Sequence, residues 1–123
     1  MKLDILAIGV HPDDVELSAS GTILKHIALG KMVGILDLTL GELGTRGSAA
    51  LRTQEAAHAA KILGISVREQ LTMADGFFEN NEAHQKLIIQ AIRKYQPEIV
   101  LCNAVSDAPH YFQKNHQPWL IVL

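Results

Sequence analysis

Apolar residues along the chain fall into two alternating patterns: short unbroken runs, and longer stretches with helical spacing. Residues 5–10 (ILAIGV) are an unbroken run, which predicts a parallel strand covered on both faces. The turn His11-Pro12-Asp13-Asp14 follows. Residues 15–29 then carry apolar side chains at 15, 17, 23, 24, 27 and 28, a helical spacing that Gly30 would stop. Residues 32–40 predict a second strand, and a glycine-rich loop, GELGTRG, occupies 41–47. Ser48 is placed to cap a helix over 49–63 that Gly64 closes. Residues 67–73 (VREQLTM) predict a third, weaker strand. Residues 81–95 predict a helix with Leu87, Ile88, Ala91, Ile92 and Tyr95 inward, and Pro97 ends it. Residues 98–105 (EIVLCNAV) predict a fourth strand.

Strand–helix alternation with short connections implies a Rossmann-like α/β fold: three α/β/α layers around a mostly parallel sheet. The sheet is expected to be incomplete at the C-terminus. With strand 1 central, strands 2 and 3 to one side and strand 4 to the other, the strand order reverses between strands 1 and 4. Ligands of such sheets bind beyond the carboxyl ends of the strands at that reversal. His11, Asp13 and Asp14 would stand there, opposite residues 103–107.

Composition narrows the function classes. The 123 residues suit one domain. Eleven Lys+Arg against 13 Asp+Glu, net −2, lack the basic surplus of a nucleic-acid binder. A lone cysteine, Cys102, excludes an internal disulfide and any multi-cysteine zinc site, and is expected to be a small buried hydrophobe in strand 4. No apolar run approaches the ~20 residues of a membrane helix, and Asp4 interrupts any signal-like start. A soluble, cytoplasmic protein without nucleic-acid or membrane partners is expected. Residues 108–123 differ from the rest. They hold two of four prolines, two of six histidines and the sole tryptophan, with no helical period.

An imidazole and two carboxylates within four residues can supply metal ligands and a base together. Two close carboxylates repel, and a cation between them relieves that cost. The competing reading of HPDD is structural: one aspartate caps the following helix and His11 is a turn residue. Its position directly after a buried first strand favours the metal.

The segment AIGVHPDDVELSASGTILKH resembles the start of the LmbE-like (PIG-L) zinc deacetylases, which hydrolyse N-acetylglucosaminyl conjugates. LDLTLGELGTRGSAALRTQEA is similar to the bacterial branch that deacetylates N-acetylglucosaminyl malate in bacillithiol synthesis. The resemblance covers residues 1 to about 107. It implies Zn2+ bound by His11 and Asp14, Asp13 as the general base toward water at the zinc, and Arg52 as a substrate contact. It also implies a small-molecule N-acetylglucosaminyl substrate and a homo-oligomer.

Beyond Asp107 the family continues Asp-Arg-His-Pro-Asp-His, whose last histidine is the third zinc ligand. Here Pro109 and Phe112 stand where those histidines would be. His110 is the nearest replacement ligand and His116 the next. The chain therefore divides into 1–107, the N-terminal part of a deacetylase domain, and an atypical tail, 108–123. A truncated or frameshifted product is expected, with weak metal binding unless His110 supplies the third ligand, and with impaired deacetylation.

GELGTRG lacks the Lys-Ser/Thr of a phosphate-binding P-loop, so its glycines permit a turn beside the substrate. Arg46 is either an anion contact or a solvated charge. His26, His58 and His84 lie on helices as surface or packing residues. Strand 4 as an edge strand would favour self-association. Two rival functions remain: a non-catalytic remnant, and a metal-binding phosphoacceptor signalling domain with Asp75 after strand 3 as the acceptor. A dinucleotide site is disfavoured, since carboxylates stand where a pyrophosphate needs glycines.

Overall fold

The computed structural model describes residues 1–102. Its elements run β1 (Ile5–Gly9), α1 (Asp14–Ala28), β2 (Val33–Asp37), α2 (Ala49–Leu63), β3 (Val67–Gln70), α3 (Glu82–Tyr95) and β4 (Ile99–Leu101). All four strands are parallel, in the order β3-β2-β1-β4. The expected Rossmann-like architecture is therefore present, with β1 central and the reversal between β1 and β4. Strands 2 and 3 are shorter than expected: beyond Asp37 and Gln70 the chain leaves the sheet. Residues 103–105, predicted to extend the fourth strand, lie outside the described residues.

Alternation along β1 divides the core into two layers. Leu6 and Ile8 join Leu3, Leu36 and Leu38 beneath Ile88, Ala91 and Tyr95 of α3. Ile5 and Ala7 face the other way, packing with Val33 and Ile35 against Val15 and Ile23 of α1 and Leu63 of α2. A parallel strand covered on both faces must be apolar on both, and β1 is buried at every position.

The inward faces of two helices differ from expectation. Helix α1 packs through Val15, Ala19, Ile23 and Ile27, one residue every four. Leu17 is 84% exposed and Leu24 47% exposed. The small Ala19 completes the stripe, which a count of bulky residues overlooks. In α3, Ile88, Ala91 and Tyr95 are buried and Ile92 packs against them, whereas Leu87 is turned outward.

The helix ends follow local chemistry. The Ser48 hydroxyl accepts the Leu51 amide at 3.1 Å, and Gly64 takes the left-handed conformation that closes α2, as the sequence predicts. The Asn81 side chain caps α3 by accepting the His84 amide at 2.9 Å. Gly34 lets β2 lie close to its neighbours, since a Cβ there would stand 2.6 Å from Leu3 Cδ1 and 2.8 Å from Val67 Cγ1. Among the described residues no helix is long and apolar enough to cross a membrane.

One buried polar network spans the layer on the α1/α2 side. Asp37, fully buried at the end of β2, accepts from Arg68 Nε at 2.8 Å and Nη2 at 3.0 Å. The same guanidinium reaches both Glu16 carboxylate oxygens and the Ala56 carbonyl, and Gln70 donates to Asp37 at 3.0 Å. Burial works against charge on Arg68, yet its hydrogen bonds to Asp37 and Glu16 outweigh this and hold it protonated. Arg68→Ala would leave Asp37 buried without its counter-charge. A loss of about 3–5 kcal/mol in denaturant unfolding is expected.

On the opposite face the Tyr95 hydroxyl donates to Glu69, as does Lys94. The Tyr95 hydrogen bond holds Glu69 below its ordinary 4.5; burial opposes this and Lys94 reinforces it. A depressed folded-state pKa contributes stability above the unfolded value and loses it as pH falls through the folded one. Tyr95→Phe is expected to cost about 1 kcal/mol at neutral pH. The gap to the unaltered chain should narrow as unfolding is followed into acid below the glutamate range.

Candidate functional site

Just past Gly9 the chain turns back over the end of β1. A Cβ at Gly9 would lie 3.1 Å from Asp14 Cβ and Val15 Cγ2, so the turn sits directly on the strand. One carboxylate closes it: Asp14 Oδ2 accepts the amides of Val10 at 3.1 Å and His11 at 2.9 Å. Asp13 occupies the position before α1 but makes no side-chain cap bond, and its backbone lies at φ 149°, ψ −20°. The capping explanation of the acidic pair therefore fails for Asp13. A strained, uncapped, half-exposed carboxylate at a strand end is a feature of functional turns.

His11 is buried, with its two ring nitrogens in different surroundings. Nδ1 faces Asp14 Oδ2 at 3.7 Å, and Nε2 lies 2.7 Å from Oδ1 of buried Asp75. The other Asp75 oxygen accepts the Leu43 amide at 3.0 Å. The loops after β1, β2 and β3 thus converge on one imidazole. Thr39 reinforces the junction, donating to the Val10 carbonyl at 2.9 Å while its hydroxyl accepts the Gly41 amide at 3.1 Å.

Arg52, in the first turn of α2, approaches from the other side. Its guanidinium donates to the carbonyls of Gly41 at 2.9 Å and Pro12 at 3.2 Å, and lies 3.4 Å from Asp13 Oδ2. Burial pushes the Asp13 carboxyl above the ordinary aspartate value; Arg52 pulls it down, and Asp14 pushes it up. Gly41 makes the approach possible. It takes φ +63°, and a Cβ there would sit 2.1 Å from Arg52 Nη1. Arg46 is exposed.

The donor set fits part of a zinc site. Two ligands at ~2.0–2.1 Å from a tetrahedral zinc stand roughly 3.3 Å apart. The 3.7 Å between His11 Nδ1 and Asp14 Oδ2 is close to that separation. Among the described residues no group of three His, Cys, Asp or Glu is placed to hold a metal ion. His110 and His116, the expected further ligands, lie outside the described residues, as does Asp107. At the strand-order reversal a cleft of about 380 Å³ opens between β1, β4 and α1, lined among others by Gly9, Asp14, Ser18, Leu101 and Cys102.

Asp75 is the acceptor expected only in the rival signalling-domain reading. It is buried, with one oxygen on the His11 ring and the other on the Leu43 amide, which leaves a poor target for phosphoryl transfer. Its contact with His11, 64 residues away, has no local sequence signal. Cys102 lies just past β4 and is exposed rather than buried in the strand. His26, His58 and His84 remain on helices; His26 and His84 bond nearby backbone oxygens.

The family model described as GlcNAc-PI de-N-acetylase (PIG-L) matches residues 6–118. The chain is 29% identical over 118 residues to a probable N-acetyl-alpha-D-glucosaminyl L-malate deacetylase 2 of Bacillus anthracis, covering 86% of this chain and 52% of that protein. The N,N'-diacetylchitobiose deacetylase of Pyrococcus horikoshii superposes with a TM-score of 0.83 at 28% identity, over 92% of this chain and 45% of that one. GalB, a 4-carboxy-2-hydroxymuconate hydratase of Pseudomonas putida, superposes at 0.76 with 27% identity, over 93% and 51%. The chain spans about half or less of the curated relatives it matches, 38% of one and 52% of another.

Gly41→Ala is expected to be destabilising, because it combines a left-handed backbone with a clash against the guanidinium. In an Arg52→Ala background the clash is gone, and only about 1 kcal/mol of backbone strain should remain. A double-mutant cycle by thermal unfolding checks this; additive losses would contradict the contact.

Proposed function

This chain belongs to the GlcNAc-PI de-N-acetylase (PIG-L) family, and from that membership we propose that it carries the site of a metal-dependent N-deacetylase. The proposed reaction is hydrolysis of the N-acetyl amide of an N-acetylglucosaminyl conjugate. N-acetylglucosaminyl malate, an intermediate of bacillithiol synthesis in the cytoplasm, is the favoured substrate. The observation that carries the reading is the His11-Pro12-Asp13-Asp14 turn after β1, in which the buried His11 ring faces the Asp14 carboxylate while Asp13 stands half exposed beside Arg52.

His11 and Asp14 would hold a divalent cation, with Zn2+ favoured by the nitrogen–oxygen donor pair and His110 as the third ligand. Bound there, the cation supplies Lewis acidity, making water acidic and polarising a carbonyl. Asp13 accepts a proton from the attacking water and returns it to the departing amine. Its partial burial and the Asp14 charge raise its basicity, while Arg52 limits the rise and fixes its direction. Arg52 also carries spare positive charge toward an anionic group of the substrate, such as a malate carboxylate. Self-association through the β4 edge, which ends the sheet among the described residues, is part of the same proposal.

The test uses the full chain. One zinc per chain is expected, lost in Asp14→Ala and weakened in His110→Ala. Zinc-dependent amine release from N-acetylglucosaminyl malate should fall about 10²–10⁴-fold in Asp13→Asn while zinc remains bound. A folded chain without stoichiometric zinc would support the rival reading, a chain with no catalytic activity.

A further inference from the structure

We infer that Asp75 is a positioning residue which selects the tautomer of His11, placing the ring proton on Nε2 and the lone pair on the nitrogen that faces Asp14. The inference rests on the metal-site reading above and adds a residue to it. A carboxylate offers acceptors only, whereas a neutral imidazole has one donor nitrogen and one acceptor nitrogen. Asp75 Oδ1 lies 2.7 Å from Nε2. That contact is a hydrogen bond only if the ring nitrogen donates. The neutral ring then carries its lone pair on Nδ1, 3.7 Å from Asp14 Oδ2.

The second Asp75 oxygen makes the arrangement directional. It accepts the Leu43 amide at 3.0 Å, and a backbone amide can only donate. Asp75 is thus held between two donors, and its acidic side chain is the one that satisfies both. The pair is buried, so water does not substitute easily for either bond. A histidine whose far nitrogen donates to a carboxylate is fixed in orientation and made a stronger ligand at its other nitrogen.

The isosteric variant Asp75→Asn separates this role from packing. Its single oxygen would be claimed by the Leu43 amide, which keeps the loop tethered. Its amide nitrogen would then face Nε2 as a donor and force the ring proton onto Nδ1. Asp75→Ala removes both the tether and the acceptor at Nε2 without placing a donor there. If Asp75 served only packing and loop anchoring, Ala would be the more damaging change.

The experiment measures zinc affinity of the full chain against a competing chelator, with long-range ¹⁵N–¹H NMR of the metal-free imidazoles as a second readout. Circular dichroism confirms that each variant folds. Expected are an Nε2–H tautomer for His11 in the unaltered chain, an Nδ1–H tautomer in Asp75→Asn, and zinc affinity about 10–100-fold weaker in Asp75→Asn. Asp75→Ala should lie between the two. Unchanged affinity in Asp75→Asn, or weaker binding by Ala than by Asn, overturns the inference and leaves the metal reading standing. If the unaltered chain takes up no zinc, the metal reading falls and this inference with it.

Discussion

The turn after β1 depends on one carboxylate. Asp14 must accept two consecutive backbone amides for the chain to reverse direction over Gly9 and enter α1. Without that acceptor, two donors at the end of a buried strand would have no partner in the turn. The same double contact brings the Asp14 carboxylate alongside the His11 ring and leaves the next carboxylate, on Asp13, pointing elsewhere. A structural need and a chemical opportunity are met by one side chain, which is why the motif can be so short.

The surroundings follow from parallel strand topology. Because all the strands run the same way, the loops after β1, β2 and β3 emerge at one end of the sheet. Their polar side chains can meet there although they are far apart in sequence. Thr39, Asp75 and His11 are buried at that end, with hydrogen bonds crossing between loops. The apolar residues lie deeper, in the two layers beneath α3 and against α1 and α2. The division between a dry core and a polar rim is set by where each strand stops.

Much of this was legible in the sequence. Unbroken apolar runs identify buried parallel strands, and Ser48 and Gly64 mark the ends of α2 because capping is local chemistry. The alternation implied a parallel sheet, the supposed strand order matches the observed one, and that order pointed to the end of β1 as the candidate site. Less legible were contacts between distant residues. Nothing local in the sequence pairs Arg68 with Asp37, and Asp75 suggested a rival phosphoacceptor rather than a partner of His11. The inward stripe of α1 was blurred because exposed Leu17 and Leu24 look like core, while Ala19 does not. Hydrophobicity gives the period of a helix more reliably than its phase.

The Arg68 network has a consequence for how the molecule opens. One guanidinium joins α1 through Glu16, α2 through the Ala56 carbonyl and β2 through Asp37, from its own place on β3. None of these elements can detach alone without stranding a charge in an apolar layer. Amide protons across this half of the molecule should therefore exchange with solvent through a shared opening event rather than by separate local fluctuations.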